Sequence, residues 1–181
     1  MRSIEKYQNR DGNVYVNCAS STRVIEGFVN LDNDALLHFG SWPARFKWLL
    51  PRQYWEAIDQ WEIAKRRALL IRHDCRKRLM FHDAAVDHIL CSHFLDYVFP
   101  DEMENILKDF FRVLKIGATL HIVLPDLRVM AERYLQRAEN AEADAADWFL
   151  NITILGRQSR GSSIYRLIEY FGFCGLQHRW M

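Results

Sequence analysis

The segment from Val86 to Asp126 constrains the fold most, because strand, polar loop, helix, turn and strand patterns follow one another in it. The apolar run Val86–Cys91 is short and contains β-branched residues, which favours a buried strand. The polar residues that follow it are Ser92, His93, Asp96 and Tyr97. We therefore predict a right-handed βαβ crossover in a parallel sheet, with these polar side chains at a carboxyl strand end.

The helix of this unit is predicted to begin at Pro100-Asp101 and to end near Lys115 and Gly117. A basic last turn followed by glycine is a common helix end. Its apolar residues recur at the spacing of one helical face, and they are Met103, Ile106, Leu107, Phe110, Phe111 and Leu114. We expect this stripe to pack in the core, and we expect the partner strand at Thr119–Leu124.

Strand and helix patterns alternate along the rest of the chain. Further strands are predicted at Val14–Cys18, Gly27–Asp32 and Ala68–Ile71. Further helices are predicted on both sides of Leu50-Pro51, at Leu127–Arg137 with Asp126 as N-cap, and around Ala141–Leu155. Such alternation predicts an α/β fold, doubly wound, with a mainly parallel sheet of about five strands and helices on both faces.

Two apolar features have structural explanations that we favour over functional ones. The tryptophans Trp42, Trp48, Trp55 and Trp61 either pack on the sheet or form a lid over substrate, and packing is preferred. The stripe Val129–Tyr134 has helical spacing and is assigned, like Met103–Leu114, to packing against the sheet.

Length and composition exclude several classes of protein. With 181 residues, 50% of them hydrophobic, the chain suits one globular domain and not a disordered protein. A net charge of +1 gives no general attraction to nucleic acid or membranes. The four cysteines form no CxxC pair, so neither a metal site nor a disulfide framework is expected, and a cytoplasmic location fits. No apolar run approaches the roughly 20 residues of a membrane span.

Two segments, SHFLDYV from Ser92 and FFRVLKIGATLHIVLPDLRVMAERYL from Phe110, resemble class I S-adenosylmethionine-dependent methyltransferases. A bacterial subgroup of that family has the pattern SHxLEH followed by RVLKPGG. The likeness extends to His73–Leu79, Gly27–Asp34 and Gln177–Met181, so it covers nearly the whole chain. The resemblance implies one Rossmann-like domain over residues 1–181, with a helical insertion at about 35–67 and without the usual C-terminal hairpin.

The resemblance also implies S-adenosylmethionine as the cofactor, lying across the carboxyl ends of the first strands. The loop at this place runs from Val16 to Ser21, where the family has two glycines, and its residues Asn17, Cys18, Ala19 and Ser20 are assigned to cofactor binding. Glycine permits a left-handed backbone and close approach of a ligand. An alanine or serine in that conformation costs about 1–2 kcal/mol, so weak cofactor binding is expected, and no binding at all is the alternative.

Two carboxylates match cofactor contacts of the family. Asp32, at the end of the second strand, is expected to accept both ribose hydroxyls. The alternative is an Asx turn within Asp32-Asn33-Asp34. Asp74 matches the position that binds the adenine amino group, and Cys75 would supply a backbone donor to the ring; the alternative for Asp74 is a surface turn beside Arg72 and Arg76.

The residues after the fourth strand are nearest to the transferred methyl group in this family. Ser92 is assigned to cofactor binding, and His93 and Asp96 to catalysis, with the imidazole as the base that removes the acceptor's proton. A structural role for His93 is the alternative. Tyr97 stands where the subgroup has a second histidine. His178 matches a subgroup histidine that faces the substrate, whereas His121 is assigned a structural role.

The leading hypothesis is a methyltransferase that acts on an oxygen, or else a nitrogen, of a small-molecule or saccharide acceptor. An inactive binding or scaffold protein with the same fold is the alternative, because the first loop lacks glycine. A nicotinamide-dependent oxidoreductase is weaker still, since GxGxxG is absent. No nucleic-acid or membrane partner is expected, and an exposed sheet edge would favour a homodimer.

Overall fold

The computed structural model describes residues 4–34, residue 37 and residues 55–152 of the 181 residues. Its centre is one parallel sheet, made of β1 (Tyr15–Cys18), β2 (Val29–Asp32), β3 (Leu70–Arg72), β4 (Val86–Ser92) and β5 (Leu114–Val123). The strand order is β3-β2-β1-β4-β5, which is the order of a doubly wound Rossmann-like sheet. The predicted fold class and the five strands are therefore confirmed.

The strand order reverses between β1 and β4, which places the topological switch point at the centre of the sheet. β3 and β5 are the outer strands of the described sheet. The homodimer through such an edge stays a prediction.

The helices are α1 (Trp55–Arg67), α2 (Pro100–Val113), α3 (Leu127–Glu139) and α4 (Ala145–Ile152). Successive side chains of a strand point to opposite faces, so the sheet has two chemically different sides. On one side Val16, Cys18, Leu31, Ile89 and Cys91 join the main core together with buried residues of α2. On the other side Trp61 and Ala64 of α1 form a smaller cluster with Val24 and Leu37, against which Leu70 packs.

The α2 helix begins at Pro100, as predicted, and the Glu102 carboxylate accepts a hydrogen bond from the Phe99 amide at 3.1 Å. Ile106, Phe110 and Val113 are buried. Phe111, however, is 85% exposed, so its assignment to the core is wrong. Consecutive helical residues are about 100° apart, and the helix can turn only one of two adjacent phenylalanines fully into the core.

The turn after α2 also differs from the expectation. The predicted strand Thr119–Leu124 is longer at its start, because β5 already pairs with β4 at Leu114 opposite Val86. The pairing is then shifted between Val86 and His88, where the segment from Lys115 to Ala118 bulges out. Gly117 has φ +81°, a conformation that favours glycine. Lys115 and Gly117 therefore form a strand bulge rather than the end of the helix.

The α3 helix has the predicted cap but not the predicted packing. The Asp126 carboxylate accepts hydrogen bonds from the Arg128 and Val129 amides at 3.0 and 3.2 Å. None of its residues is buried, so the assignment of the Val129–Tyr134 stripe to the core is wrong. Instead α3 packs on α4, through Tyr134 with Phe149 and through Arg137 over Trp148. An apolar stripe defines which face of a helix is buried, but not by what.

Trp61 is 2% exposed in the α1 cluster, which confirms packing for this tryptophan. The predictions on Trp42, Trp48, the Leu50-Pro51 break, His178 and the C-terminal hairpin lie outside the described residues. Within the described helices, none combines the length and apolarity that crossing a bilayer demands.

Arg112 ties the loop before β4 to α2. Its guanidinium donates to the Asp109 carboxylate at 2.7 Å, to the Asp83 carboxylate at 2.7 Å and to the carbonyls of Phe81 and Leu79 at 2.9 and 3.2 Å. The Leu79 amide in turn donates to Asp109 at 2.6 Å. One side chain therefore satisfies two carbonyls and two carboxylates of this loop and helix.

We expect Arg112→Ala to lower the free energy of unfolding by about 2–3 kcal/mol, because it leaves these acceptors without their donor. Urea denaturation measures the change. Arg128→Ala is the matched control, since the Arg128 side chain is 86% exposed and forms an exposed pair with Glu132 at 2.9 Å. The control should change stability by less than about 0.5 kcal/mol. Equal losses in both variants would contradict the structural role of Arg112.

Candidate active site

The predicted site residues converge because all five strands are parallel and end at the same edge of the sheet. Cys18 is level with Leu31 of β2 and with Cys91 of β4, so the ends of β1, β2 and β4 lie side by side. Asp32 is level with Arg72, and the segment His73-Asp74-Cys75 follows directly. The ends of β1 and β4 border the switch point, where α/β folds place their ligands.

The loop after β1 has the backbone conformation of a glycine loop without containing glycine. Ala19 has φ +52° and Ser21 has φ +48°. The Ser20 amide donates to the Leu31 carbonyl at 2.9 Å, and the Ser21 amide donates to the Asp32 carboxylate at 2.7 Å. Strained non-glycine residues are typical of functional sites, where the surrounding structure holds them.

The Asp32 carboxylate links this loop to the end of β2. Its Oδ2 accepts from the Ser21 amide, and its Oδ1 accepts from the Asp34 amide at 2.8 Å, which confirms the Asx turn. A carboxylate has about four acceptor positions, so acceptor capacity remains for a ligand. Burial raises the pKa of Asp32 above its ordinary value of 3.8, although the amides of Asp34, Ser21 and Asn33 act in the opposite direction.

Asp74 is engaged by its neighbour Arg76. The Arg76 side chain donates to Oδ1 at 3.0 Å and to Oδ2 at 2.9 Å, and its amide donates to Oδ1 at 3.1 Å. Partial burial acts to raise the pKa of Asp74, but these hydrogen bonds outweigh it and hold the pKa below 3.8. The pairing agrees with the turn interpretation of Asp74 and leaves little acceptor capacity for an adenine amino group.

Three thiols lie beneath the loop. Cys18, Cys75 and Cys91 are free and buried. A hydrogen bond with Cys75, together with burial, raises the pKa of Cys18, and burial raises the pKa of Cys91 to about 12. Thiols held in the neutral form are poor nucleophiles and poor metal ligands. Cys18 and Cys75 both belong to the main core, so only their backbone is suited to contact a ligand.

The end of β4 carries the predicted catalytic residues. Ser92 is half-buried, whereas His93 is exposed and has φ +51°. The His93 amide donates to the Val123 carbonyl at 2.9 Å, which fixes this turn to the end of β5. Asp96 Oδ1 is enclosed and accepts no hydrogen bond within the described part of the chain. A buried acceptor without a donor is costly, and a ligand with a hydroxyl or amino group would satisfy it.

Two residues at or near this edge make contacts that sequence reasoning did not predict. Ser21, not Ser20, is the residue whose amide contacts Asp32. Asn30, which is fully buried in the middle of β2, was not singled out. Its signal was available, because a polar residue between Val29 and Leu31 in a buried strand must find internal hydrogen-bond partners.

Replacing Ala19 or Ser21 with glycine should stabilise the protein by about 0.5–1 kcal/mol each, since relief of left-handed strain exceeds the entropy that glycine adds to the unfolded chain. Thermal unfolding measures the gain. Ala84 is a matched control, because it also has positive φ, at +49°, but lies before β4. Ala84→Gly should give a similar gain. Loss of stability in all three variants would show that the strain is not real.

Comparisons with known proteins give one family match and several similar solved structures. A family model described as "Methyltransferase domain" matches residues 55–122, from the start of α1 into β5. No curated protein matches the chain.

Among solved structures, the PH0226 protein of Pyrococcus horikoshii is similar, with 18% identity, 73% of this chain and 56% of that chain covered, and a TM-score of 0.44. A candidate S-adenosylmethionine-dependent methyltransferase of Methanococcus maripaludis has 12% identity, coverages of 61% and 47%, and a TM-score of 0.37. A candidate methyltransferase of Haloferax volcanii, in complex with the Trm112 methyltransferase activator, has 19% identity, coverages of 70% and 52%, and a TM-score of 0.41. The chain spans about half the length of these structures.

Proposed function

We propose that this chain is a class I S-adenosylmethionine-dependent methyltransferase and that it binds this cofactor at the carboxyl ends of β1, β2 and β4. The reaction is methyl transfer to an oxygen, or else a nitrogen, of a small-molecule or saccharide acceptor. One observation carries the proposal: a glycine-type loop, hydrogen-bonded to the half-buried carboxylate of Asp32, lies beside the switch point.

Asp32 is the residue best suited to hold the cofactor. The two amides that it already binds keep the carboxylate oriented, and its remaining acceptor positions match a pair of vicinal hydroxyls, such as those of a ribose. Asp74 and Cys75 follow β3 on the same edge, and the backbone of this segment would contact the adenine ring, since Arg76 already occupies most of the Asp74 carboxylate. Ser92 is the last residue of β4 and would contact the cofactor from that strand end.

The end of β4 would serve the acceptor. A bound S-adenosylmethionine supplies an electrophilic methyl group on a sulfonium sulfur. His93 is exposed at this edge, and its imidazole can take the proton that a hydroxyl or amino acceptor loses. The enclosed Asp96 Oδ1 would accept a hydrogen bond from the same acceptor and orient it.

One observation favours the inactive binding protein as a second candidate. The amides of Ser20 and Ser21, which a cofactor could use as donors, already donate to Leu31 and Asp32. Under this alternative, the strained loop would be a structural link between β1 and β2.

Isothermal titration with S-adenosylmethionine and with S-adenosylhomocysteine tests the proposal. We expect saturable heat with both ligands, and S-adenosylhomocysteine release when a panel of hydroxylated and amino acceptors is offered. His93→Gln should retain binding and lose about 100-fold or more of the turnover. A protein that is folded by circular dichroism yet gives no heat with either ligand would reject the proposal in favour of the inactive alternative.

The affinity for S-adenosylhomocysteine should fall on mild acidification. Asp32 must be ionised to accept two hydroxyls, and its pKa is raised above 3.8 by burial. Protonation therefore removes the acceptor for the ligand as the pH falls through this raised pKa. The same protonation does not weaken folding, because burial disfavours the ionised form of Asp32 in the folded state. Titration calorimetry from pH 7.5 downward measures the effect. Asp32→Asn should show weak binding that hardly varies with pH.

A further inference from the structure

The connection from β1 to β2, residues 19–28, is unusual for two adjacent parallel strands. Such a crossover normally needs roughly a dozen or more residues and contains a helix, whose backbone hydrogen bonds support it. No helix occurs in this connection. The loop that carries Ala19 and Ser21 must therefore obtain its support from elsewhere.

Two buried asparagines lie directly beneath this connection. Asn17 of β1 is 4% exposed, and Asn30 of β2 is fully buried. They are level with each other in the sheet, and Asn17 Nδ2 donates to Asn30 Oδ1 at 2.9 Å. A polar pair enclosed in this way is stable only when its hydrogen bonds are satisfied, and a satisfied pair is rigid.

The pair binds the connection at several backbone positions. Asn17 Nδ2 donates to the Arg23 carbonyl at 3.2 Å. Asn30 Oδ1 accepts from the Ile25 amide at 2.9 Å, and Asn30 Nδ2 donates to the carbonyls of Ile25 and Phe28 at 3.0 and 3.1 Å. Asn30 also donates to the Leu69 carbonyl at 3.0 Å, which connects the loop to the start of β3. These bonds involve both polar atoms of the Asn30 side chain, Oδ1 and Nδ2, and the Nδ2 group of Asn17.

We propose that Asn17 and Asn30 are positioning residues for the cofactor loop, and that their bonds to residues 23–28 hold Ala19 and Ser21 in a glycine-type conformation without glycine. The asparagine pair contacts the half of the connection that leads into β2, and Asp32 contacts the Ser21 amide in the half that follows β1. The loop is thus fixed at both ends before any ligand arrives. This inference rests on the proposed function where it concerns the cofactor, but not where it concerns the loop.

Asn17→Ala tests the inference, because it removes two hydrogen bonds and leaves those of Asn30 to Ile25, Phe28 and Leu69 in place. We expect amide hydrogen exchange of Ser21 to accelerate about ten-fold or more, with no change at Ile89 in the centre of β4. The affinity for S-adenosylhomocysteine should fall about ten-fold as well. Asn13→Ala is the matched control, since Asn13 lies before the opposite end of β1 and its side chain donates to the Tyr15 hydroxyl at 3.5 Å, far from the loop.

Rescue by glycine separates positioning from general stability. If Asn17 holds a strained loop, then Ala19→Gly with Ser21→Gly should restore most of the affinity that Asn17→Ala loses, because glycine adopts this conformation without a support. Ala84→Gly relieves similar strain elsewhere and should restore none of it. Equal rescue by both would overturn the inference, as would unchanged exchange of the Ser21 amide in Asn17→Ala.

The two proposals fail in different ways. A wild-type protein that binds neither ligand, together with faster Ser21 exchange in Asn17→Ala, would reject the proposed function and leave the loop positioning supported. A wild-type protein that binds the ligands, together with unchanged exchange and affinity in Asn17→Ala, would support the proposed function and reject the loop positioning. Should Asn17→Ala fail to fold, Asn17→Ser, whose hydroxyl can still donate one bond, is expected to fold and to show an intermediate exchange rate.

Discussion

Phe110→Ala should destabilise the protein by about 3–5 kcal/mol, which is a large part of the total stability of an ordinary domain. Phe110 is fully buried in α2 and belongs to the core between this helix and the sheet, together with Val16, Leu31 and Ile89. Truncation removes the apolar ring and leaves a cavity, because the strands that line it are fixed by their pairing and can relax only in part.

Urea denaturation followed by circular dichroism measures this effect. Phe111→Ala is the matched control, being the same change at the next residue, where the side chain is 85% exposed. We expect the control to alter stability by no more than about 0.5 kcal/mol. Similar losses at both positions would mean that the face of α2 turned to the sheet has been wrongly assigned. A loss of stability in Phe111→Ala that exceeds the expected limit, with the Phe110→Ala loss as expected, would indicate that Phe111 packs against another group.

Asp32→Ala should abolish the rise in melting temperature that S-adenosylhomocysteine causes in the wild-type protein. A ligand at 100 times its Kd stabilises a folded protein by about 2.7 kcal/mol, which raises the melting temperature by several degrees in a domain of this size. The variant loses the carboxylate that is proposed to accept the ribose hydroxyls. It also loses the acceptor of the Ser21 amide, so the loop is released at that end.

Asp126→Ala is a close control for this experiment. Asp126 also accepts two backbone amides, those of Arg128 and Val129, but it caps α3. Its replacement should lower the melting temperature, since an N-cap contributes about 1 kcal/mol, while the ligand-induced rise remains. A ligand-induced rise that persists in Asp32→Ala would remove Asp32 from the binding site.

Local patterns predicted the elements of this fold well. The strand run before Ser92, the helix start at Pro100 and the cap at Asp126 each depend on chemistry within a few residues, and each is present. The convergence of Asp32, Asp74, Ser92 and His93 on one edge was also predictable. It requires only that every strand be parallel, which the alternation of strands and helices already indicates.

The errors share one physical cause. Phe111 and the Val129–Tyr134 stripe are apolar and have the spacing of a buried helix face. Neither is buried in the core, however. Burial depends on what lies opposite a helix face, and the spacing of apolar residues within the helix does not specify it. The support of the first loop by Asn30 was missed for the same reason, since its partners at Ile25 and Leu69 come from two different connections.

The sequence by itself determined the parallel sheet, its order of elements and the edge at which polar residues gather, because these follow from hydrophobic period and turn chemistry. Only the tertiary structure decided how a loop without glycine holds a left-handed backbone at Ala19 and Ser21. That conformation is unfavourable for the loop alone. It exists because the side chains of Asp32, Asn17 and Asn30, brought together by strand pairing, bind the loop in that shape.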